Sequence, residues 1–309
     1  MREELTERRR FVAGLIGGGI ATSFTPALHE READALGLSY SYQLIDIDVL
    51  GLGAADAGRL LGEAQRMGFS GVNVTHPCKQ VVIPYLDELA PAAAALGAVN
   101  TVVFADGRSV GYNTDQPAFK ESLVVGLPGE DRYDVVVLGA GGAGAAVANA
   151  ALELGSAQLS IVDIERGRAL RLAESLSARF PQAIVRGLGP AGLADALDGA
   201  DGLIHATPTG MANHPGIPLD PETLQERTWV ADIVYRPLNT ELLRVARQRG
   251  CKTVDGSGMA VIQAALSFAL FTGIAPDRER MFGEFATLAL AEVEAEAGID
   301  GKSPTGRAL

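Results

Sequence analysis

The chain has 309 residues, 47% of them hydrophobic, enough for about two packed domains and too apolar for a disordered protein. A formal net charge of −12 and a sequence pI near 4.8 argue against a nucleic-acid or anionic-membrane partner, because phosphates would be repelled over most of the surface. The only cysteines, Cys78 and Cys251, read as reduced and incidental rather than as a disulfide framework.

The chain opens on a mixed-charge run, Met1–Arg10, without the apolar core of a signal peptide, and no stretch has the length and uniform apolarity of a membrane span. A cytoplasmic location is the default expectation. From Phe11 to about Val254, short β-branched runs alternate with helical stretches, the pattern of a parallel α/β sheet. The first third predicts strands near Val12–Ile16, Tyr40–Ile47, Gly71–Val74 and Val99–Phe104. It predicts helices at Pro26–Leu36, with Pro26 suited to a first turn, and at Ala54–Met67. A helix near Asn113–Leu127 joins this unit to a second alternation, with strands at Asp134–Leu138, Leu159–Val162, Gly202–His205, Trp229–Ile233 and Thr253–Val254. After Asp255 the chain reads as helical, Met259–Phe271 and about Asp277–Glu296, and Gly301–Leu309 as a frayed end. The expected organisation is an α/β domain over 1–113, completed by 255–309, and a Rossmann-type dinucleotide-binding domain over 114–254. The late helices return to the first domain.

Asp134–Leu138 leads into Gly139-Ala-Gly141-Gly142-Ala143-Gly144 and an Ala-rich helix, a G-x-G-x-x-G loop in its proper strand–helix setting. Gly139 permits the tight turn, Gly141 lets the backbone approach a pyrophosphate, and Gly144 lets helix and strand pack closely. The helix N-terminus offers N–H groups to the phosphates. Asp163 ends the next strand, about twenty residues on, where a carboxylate can accept hydrogen bonds from ribose hydroxyls and repel a 2′-phosphate. NAD is therefore favoured over NADP. Arg166 and Arg168 pull the other way, since either could reach a phosphate, and Asp163 could also cap the following helix.

Lysine is scarce, at positions 79, 120, 252 and 302, and Lys79 is the only formal charge between Arg66 and Asp87. An ammonium in such surroundings needs solvent, a partner or a task. Asp115, in Gly111-Tyr-Asn-Thr-Asp115, is a candidate partner or else a helix N-cap. As a pair, the two could hold a substrate hydroxyl and take its proton while a hydride leaves the same carbon. No His, Cys and carboxylate cluster has metal-ligand spacing, so no metal is expected.

Together these segments resemble the shikimate dehydrogenase family, most closely its NAD-using quinate/shikimate dehydrogenases, from about Phe11 to Phe282. Leu15–His29 carries Ser23-Phe-Thr25-Pro26 after a Gly-rich turn. By this resemblance Ser23 and Thr25 bind the substrate carboxylate. Asn73-Val-Thr75-His-Pro77-Cys-Lys79 implies Thr75 as a substrate contact and Lys79 as the catalytic lysine. Gly97-Ala-Val-Asn100 implies Asn100 at the ring hydroxyls, and the Asp115 segment implies the catalytic aspartate. Ala206-Thr207-Pro208-Thr-Gly210-Met211 resembles the loop flanking the nicotinamide, so Thr207, Pro208 and Met211 join the cofactor contacts. Asp232-Ile-Val234-Tyr235-Arg-Pro237 and Gly256-Ser-Gly258-Met259-Ala-Val-Ile-Gln263 place Tyr235 and Gln263 at the substrate, and Val234, Gly256 and Met259 with Arg168 at the cofactor.

Departures from the family pattern refine the expectation. Thr25 stands for a second Ser, Gly19 for a usual Pro, and Asp163-Ile-Glu for the Asn-Arg-Thr of strict NADP users. These point to quinate use and to NAD. His205 replaces a common Asn without an evident reason, and His76 reads as a hydrogen-bonded loop residue rather than a general acid. His29 and His214 read as structural or exposed. The resemblance implies oxidation of quinate or shikimate to 3-dehydroquinate or 3-dehydroshikimate, with no nucleic-acid or membrane partner and room for a homodimer. Its rivals are an amino-substituted substrate on the same fold and a non-catalytic NAD or metabolite sensor.

Overall fold

The computed structural model describes residues 9–300. Most of the charged N-terminal run and the expected fraying at 301–309 lie outside the described residues. In chain order the elements are β1 (Arg10–Gly17), α1 (Thr25–Ala35), β2 (Ser39–Asp46), α2 (Ala57–Arg66), β3 (Gly71–Val74), β4 (Glu88–Leu89), α3 (Pro91–Leu96), β5 (Thr101–Ala105), β6 (Arg108–Tyr112) and α4 (Asp115–Gly126). There follow β7 (Asp134–Leu138), α5 (Gly142–Glu153), β8 (Gln158–Val162), α6 (Arg166–Arg179), β9 (Ile184–Leu188), α7 (Leu193–Leu197), β10 (Gly202–His205), β11 (Trp229–Asp232), α8 (Glu241–Gln248), β12 (Thr253–Val254), α9 (Ser257–Thr272) and α10 (Arg278–Asp300).

Two six-stranded sheets result. The first runs β2-β1-β3-β5-β6-β4 and is mixed, not parallel as the alternation suggests. β5 lies antiparallel to β3, and β6 folds back on β5 through Asp106 and Gly107, both with positive φ. That Asp-Gly pair is the hairpin signal of a two-residue turn, and it reverses the chain where a crossover helix would have kept it parallel. The second sheet runs β9-β8-β7-β10-β11-β12 and is parallel throughout. Its order reverses between β7 and β10, and ligands of such sheets bind at the strand carboxyl ends beside that switch. Val135 and Val137 on β7 point into one core with Val147 of α5, and Val136 into the opposite one, as a strand covered on both faces requires.

The last helices pack on the first sheet's side. Met281 and Phe285 of α10 bury against Leu28 of α1 and Val261 of α9. The Phe271 ring of α9 occupies the space where a side chain at Gly71 on β3 would stand. Between them His29 is fully buried, with Nδ1 2.9 Å from the Tyr40 hydroxyl and Nε2 3.3 Å from Ser267 Oγ. Burial pushes its pKa down from 6.5 to about 3. Below about pH 6.5 the unfolded chain takes up a proton that the folded chain refuses, so this residue's contribution to stability falls as pH drops toward 3. Between pH 6.5 and 5 the native protein should lose about 2 kcal/mol more than a His29→Gln variant. Urea unfolding at the two pH values checks this, and parallel losses would contradict it.

Candidate active site

β3 delivers the chain to Thr75, and the turn after it puts Lys79 at the edge of the first sheet, where its backbone carbonyl accepts from the Val99 N–H at 2.8 Å. Lys79 Nζ lies 2.6 Å from Asp115 Oδ2, with only 16% and 6% of the two side chains exposed. The aspartate begins α4 without having to cap it. Asn113 Oδ1 accepts the Gln116 N–H at 3.1 Å, which leaves the Asp115 carboxylate free for other partners. A largely buried ion pair of this kind gains little net stability against the cost of desolvation, so its presence beyond the end of β3 points to chemistry.

Asn100 orients the pair. Its Nδ2 donates to Asp115 Oδ1 and to Thr114 Oγ1, each at 2.8 Å. Its Oδ1 accepts from the Thr114 N–H at 2.8 Å and from Thr101 Oγ1 at 3.1 Å. Both donors and both acceptor positions are thereby used, so here Asn100 holds Asp115 rather than offering a spare group to a ring hydroxyl. Behind it, Tyr42 donates to Asn73 Oδ1 at 2.7 Å, and Asn73 Nδ2 donates to Thr101 Oγ1 at 3.1 Å. This buried polar chain, from Tyr42 to Lys79, fixes the carboxylate in one orientation. Tyr42 and Thr101 drew no notice in the sequence, where a lone hydroxyl on an apolar strand carries no signal.

The Gly-rich loop lies directly across from Lys79. A methyl at Gly142 would sit 3.1 Å from Lys79 Cβ, so the fingerprint's unconstrained position is pressed against the lysine stem. Gly139 has φ +100, and a methyl at Gly144 would come within 2.0 Å of the Gly139 carbonyl oxygen. Nothing stands within 4 Å of where a Gly141 side chain would project. Open space beside an α5 N-terminus with unpaired N–H groups is what a pyrophosphate requires, and these residues fit a dinucleotide. The loop sits at the switch point, where Ala206 and Thr207, following β10, abut Gly139.

Asp163 has two tasks. Its Oδ2 accepts from the Ala140 N–H and its Oδ1 from the Glu165 N–H, both at 2.8 Å, so it ties the loop to the start of α6. Each oxygen keeps a second lone pair for a ribose hydroxyl. Arg168 pairs with Glu165 at 2.8 Å on the exposed rim. Met211 bridges to His214 in the loop after Pro208, and the Val234 N–H donates to Asp232 Oδ1 at 3.0 Å. Gly256 approaches the Ile233 and Val234 carbonyls too closely for any side chain. Met259 lies in the core beside Phe119 and Ile262, away from the surface that the resemblance gives it.

Ser23, Thr25 and Tyr235 come together. Ser23 Oγ donates to Thr25 Oγ1 at 3.1 Å, and beside them the Tyr235 hydroxyl is buried, which raises its pKa. Thr75 packs its methyl under Gly17 of the neighbouring turn. Gln263 on α9 donates to the Ala260 carbonyl at 3.2 Å, and among the described residues no hydrogen bond links it to Lys79 or Ser23. His76 stands at the surface two residues from the strand, its pKa lowered by partial desolvation and then by the Lys79 ammonium. His205 is fully buried and bonded on both ring nitrogens, to Asp232 and to Thr207. The sequence held one clue, a histidine ending an otherwise apolar strand. Cys78 and Cys251 are both buried and free. Among the described residues no three His, Cys, Asp or Glu side chains gather as metal ligands, and no helix is long and apolar enough to cross a membrane.

Comparison with known proteins agrees with this geometry. Residues 15–102 match the family model described as the shikimate dehydrogenase substrate binding domain. The chain is 56% identical to a shikimate dehydrogenase (NADP(+)) of Streptomyces avermitilis over 90% of its own length and 96% of that protein's. It is 45% identical to a quinate/shikimate dehydrogenase (NAD(+)) of Corynebacterium efficiens, over 89% and 97% of the two chains. Among solved structures it resembles the quinate dehydrogenase of Corynebacterium glutamicum in complex with NAD, with a TM-score of 0.82 and 43% identity over 91% of this chain and all of the other. The chain belongs to the shikimate dehydrogenase family, with that family's substrate-binding domain joined to a Rossmann-like domain.

Proposed function

We propose that the protein is an NAD-dependent dehydrogenase that interconverts quinate or shikimate and the corresponding 3-dehydro compound. The observation that carries this reading is the 2.6 Å pair of Lys79 and Asp115, pressed against Gly142 of the dinucleotide loop. The bound nicotinamide supplies the hydride acceptor and, in reverse, the donor. The chain supplies the rest. Ser23 and Thr25 hold the ring acid's carboxylate through their hydroxyls, beside the buried Tyr235. One ring hydroxyl reaches the Lys79–Asp115 pair, which takes the hydroxyl proton as the C–O bond becomes a carbonyl and returns it in the reverse direction. Asn100 keeps the carboxylate from turning away.

The preference for NAD rests on Asp163, whose charge at the end of β8 opposes a 2′-phosphate. The Streptomyces avermitilis relative, named for NADP, favours the other dinucleotide, and Arg166 and Arg168 at the same rim would be its anchors. A steady-state panel decides: quinate, shikimate and an amino-substituted analogue, each with NAD and with NADP. The expected result is turnover of quinate or shikimate with a higher kcat/KM for NAD. Asp163→Asn should shift that ratio toward NADP by about tenfold, the effect of removing one close like-charge contact of ~1.4 kcal/mol. Preference for NADP in the native protein would overturn the cofactor assignment, and turnover of the analogue alone would overturn the substrate. Dinucleotide binding without any turnover would leave a sensor as the better reading.

A further inference from the structure

His205 ends β10 at the switch point, and none of the chemistry above employs it. Its ring is fully buried and clamped at both nitrogens. Nδ1 lies 2.9 Å from Asp232 Oδ1, and Nε2 hydrogen-bonds Thr207 Oγ1. Asp232, itself buried, also accepts from the Val234 N–H at 3.0 Å and from Thr240 Oγ1 at 2.7 Å, so the carboxylate is anchored from three elements. Here the second nitrogen reaches Thr207, whose methyl would meet a Gly139 side chain at 3.2 Å, where the dinucleotide loop turns.

Asp232 already accepts two other hydrogen bonds, so in the neutral tautomer that serves it His205 carries its proton on Nδ1 and Nε2 accepts. Thr207 must then donate its hydroxyl proton to His205. One oxygen lone pair accepts the Thr209 N–H at 3.3 Å, and the other remains. That lone pair is the uncommitted feature of the Thr207 hydroxyl.

We infer that His205 is a positioning residue for the dinucleotide: anchored by Asp232, it turns the Thr207 hydroxyl into a fixed acceptor for a donor on the bound cofactor, a ribose hydroxyl or the carboxamide N–H. This rests on the dinucleotide reading of the cleft and adds the residue that sets the acceptor's direction. Asparagine at this position would reach only as far as Nδ1. It can serve Asp232 but leaves Thr207 free to rotate.

The two halves of the clamp can be separated. His205→Asn keeps the contact to Asp232 and loses Thr207, whereas His205→Gln reaches the Nε2 position and loses Asp232. Thr207→Val keeps the methyl against Gly139 and removes the hydroxyl. Calorimetric titration with NAD and with NADP, run beside thermal unfolding and steady-state kinetics, reads all three. The expected result is an affinity for the preferred dinucleotide about tenfold weaker in His205→Asn and in Thr207→Val, the effect of one directed hydrogen bond. The double variant should be no weaker than either single, as two residues acting through one contact require. The KM for the ring acid and the unfolding temperature of His205→Asn should stay near native. His205→Gln should bind the dinucleotide near normally while unfolding at lower temperature. Native affinity in His205→Asn, or losses that add in the double variant, would overturn the inference while the dinucleotide reading stands. A native protein that binds neither dinucleotide would overturn both.

Discussion

Replacing Lys79 by alanine should lower turnover by about 10²–10⁴-fold while dinucleotide affinity stays near native, the range over which a positioned acid–base group contributes. Among the described residues the ammonium is the only cation hydrogen-bonded to Asp115, at 2.6 Å, so its loss removes both a proton-handling group and the counter-charge that holds the carboxylate in place. Stability also falls, because a carboxylate that is 6% exposed is left without its counter-charge, a change that costs about 3–5 kcal/mol when the pair is buried and less here, where the lysine is partly open to solvent. Lys79→Met, which keeps most of the stem against Gly142, and Asp115→Asn, which keeps a group for Asn100 to hold, separate the two effects. Both should fold, bind dinucleotide and fail to turn over. Stopped assays with quinate and shikimate, alongside dinucleotide titration, measure this. Near-native turnover in either variant removes the mechanism.

Gly144→Ala should weaken dinucleotide binding by about 10–100-fold and lower the unfolding temperature. The added carbon would lie 2.0 Å from the Gly139 carbonyl oxygen, a backbone atom that cannot rotate aside, so α5 must slide away from β7 and carry its N-terminal N–H groups with it. Overpacking of this kind costs ~1–3 kcal/mol, which corresponds to that span of affinity if the strained arrangement is the one that binds. Gly141→Ala is the contrasting variant. Its methyl meets nothing within 4 Å, so the protein should unfold at the native temperature, yet the methyl projects into the space that a pyrophosphate would enter. Loss of binding in both, with loss of stability only in Gly144→Ala, is the expected pattern. Equal stability losses would show that the loop is a structural turn and no more.

The strands and helices that carry the site were legible because each had a local cause. The strand into Gly139 is a run of valines ending in glycines with separate tasks, and Pro26 falls in the first turn of α1. What escaped depended on partners far along the chain. β9 reads Ile184-Val-Arg-Gly-Leu188, and its glycine weakens the strand pattern for the sake of α6, whose Leu170 N would stand 2.5 Å from any side chain there. β6 was hidden in a polar stretch, although Asp106-Gly107 signalled the hairpin that makes the first sheet mixed. Lys79 and Asp115 could be named from their types, but their contact spans 36 positions and follows from β3, β5, β6 and α4 packing together. Asp115 as a helix cap was a fair alternative until Asn113 took that place. His205 stands out in one dimension only as a histidine ending an apolar strand, because its partners lie 27 positions ahead and two ahead and meet only at the end of β10.

The central claim is that one bound alcohol is shared between the Lys79 ammonium and the Asp115 carboxylate. A crystal structure with oxidised dinucleotide and quinate or shikimate tests it most directly. The account predicts a ring oxygen about 2.6–3.2 Å from both Nζ and a carboxylate oxygen, with its carbon facing the nicotinamide. A ring acid bound in the cleft with every hydroxyl beyond ~10 Å of that pair, too far for a proton to pass, would contradict it.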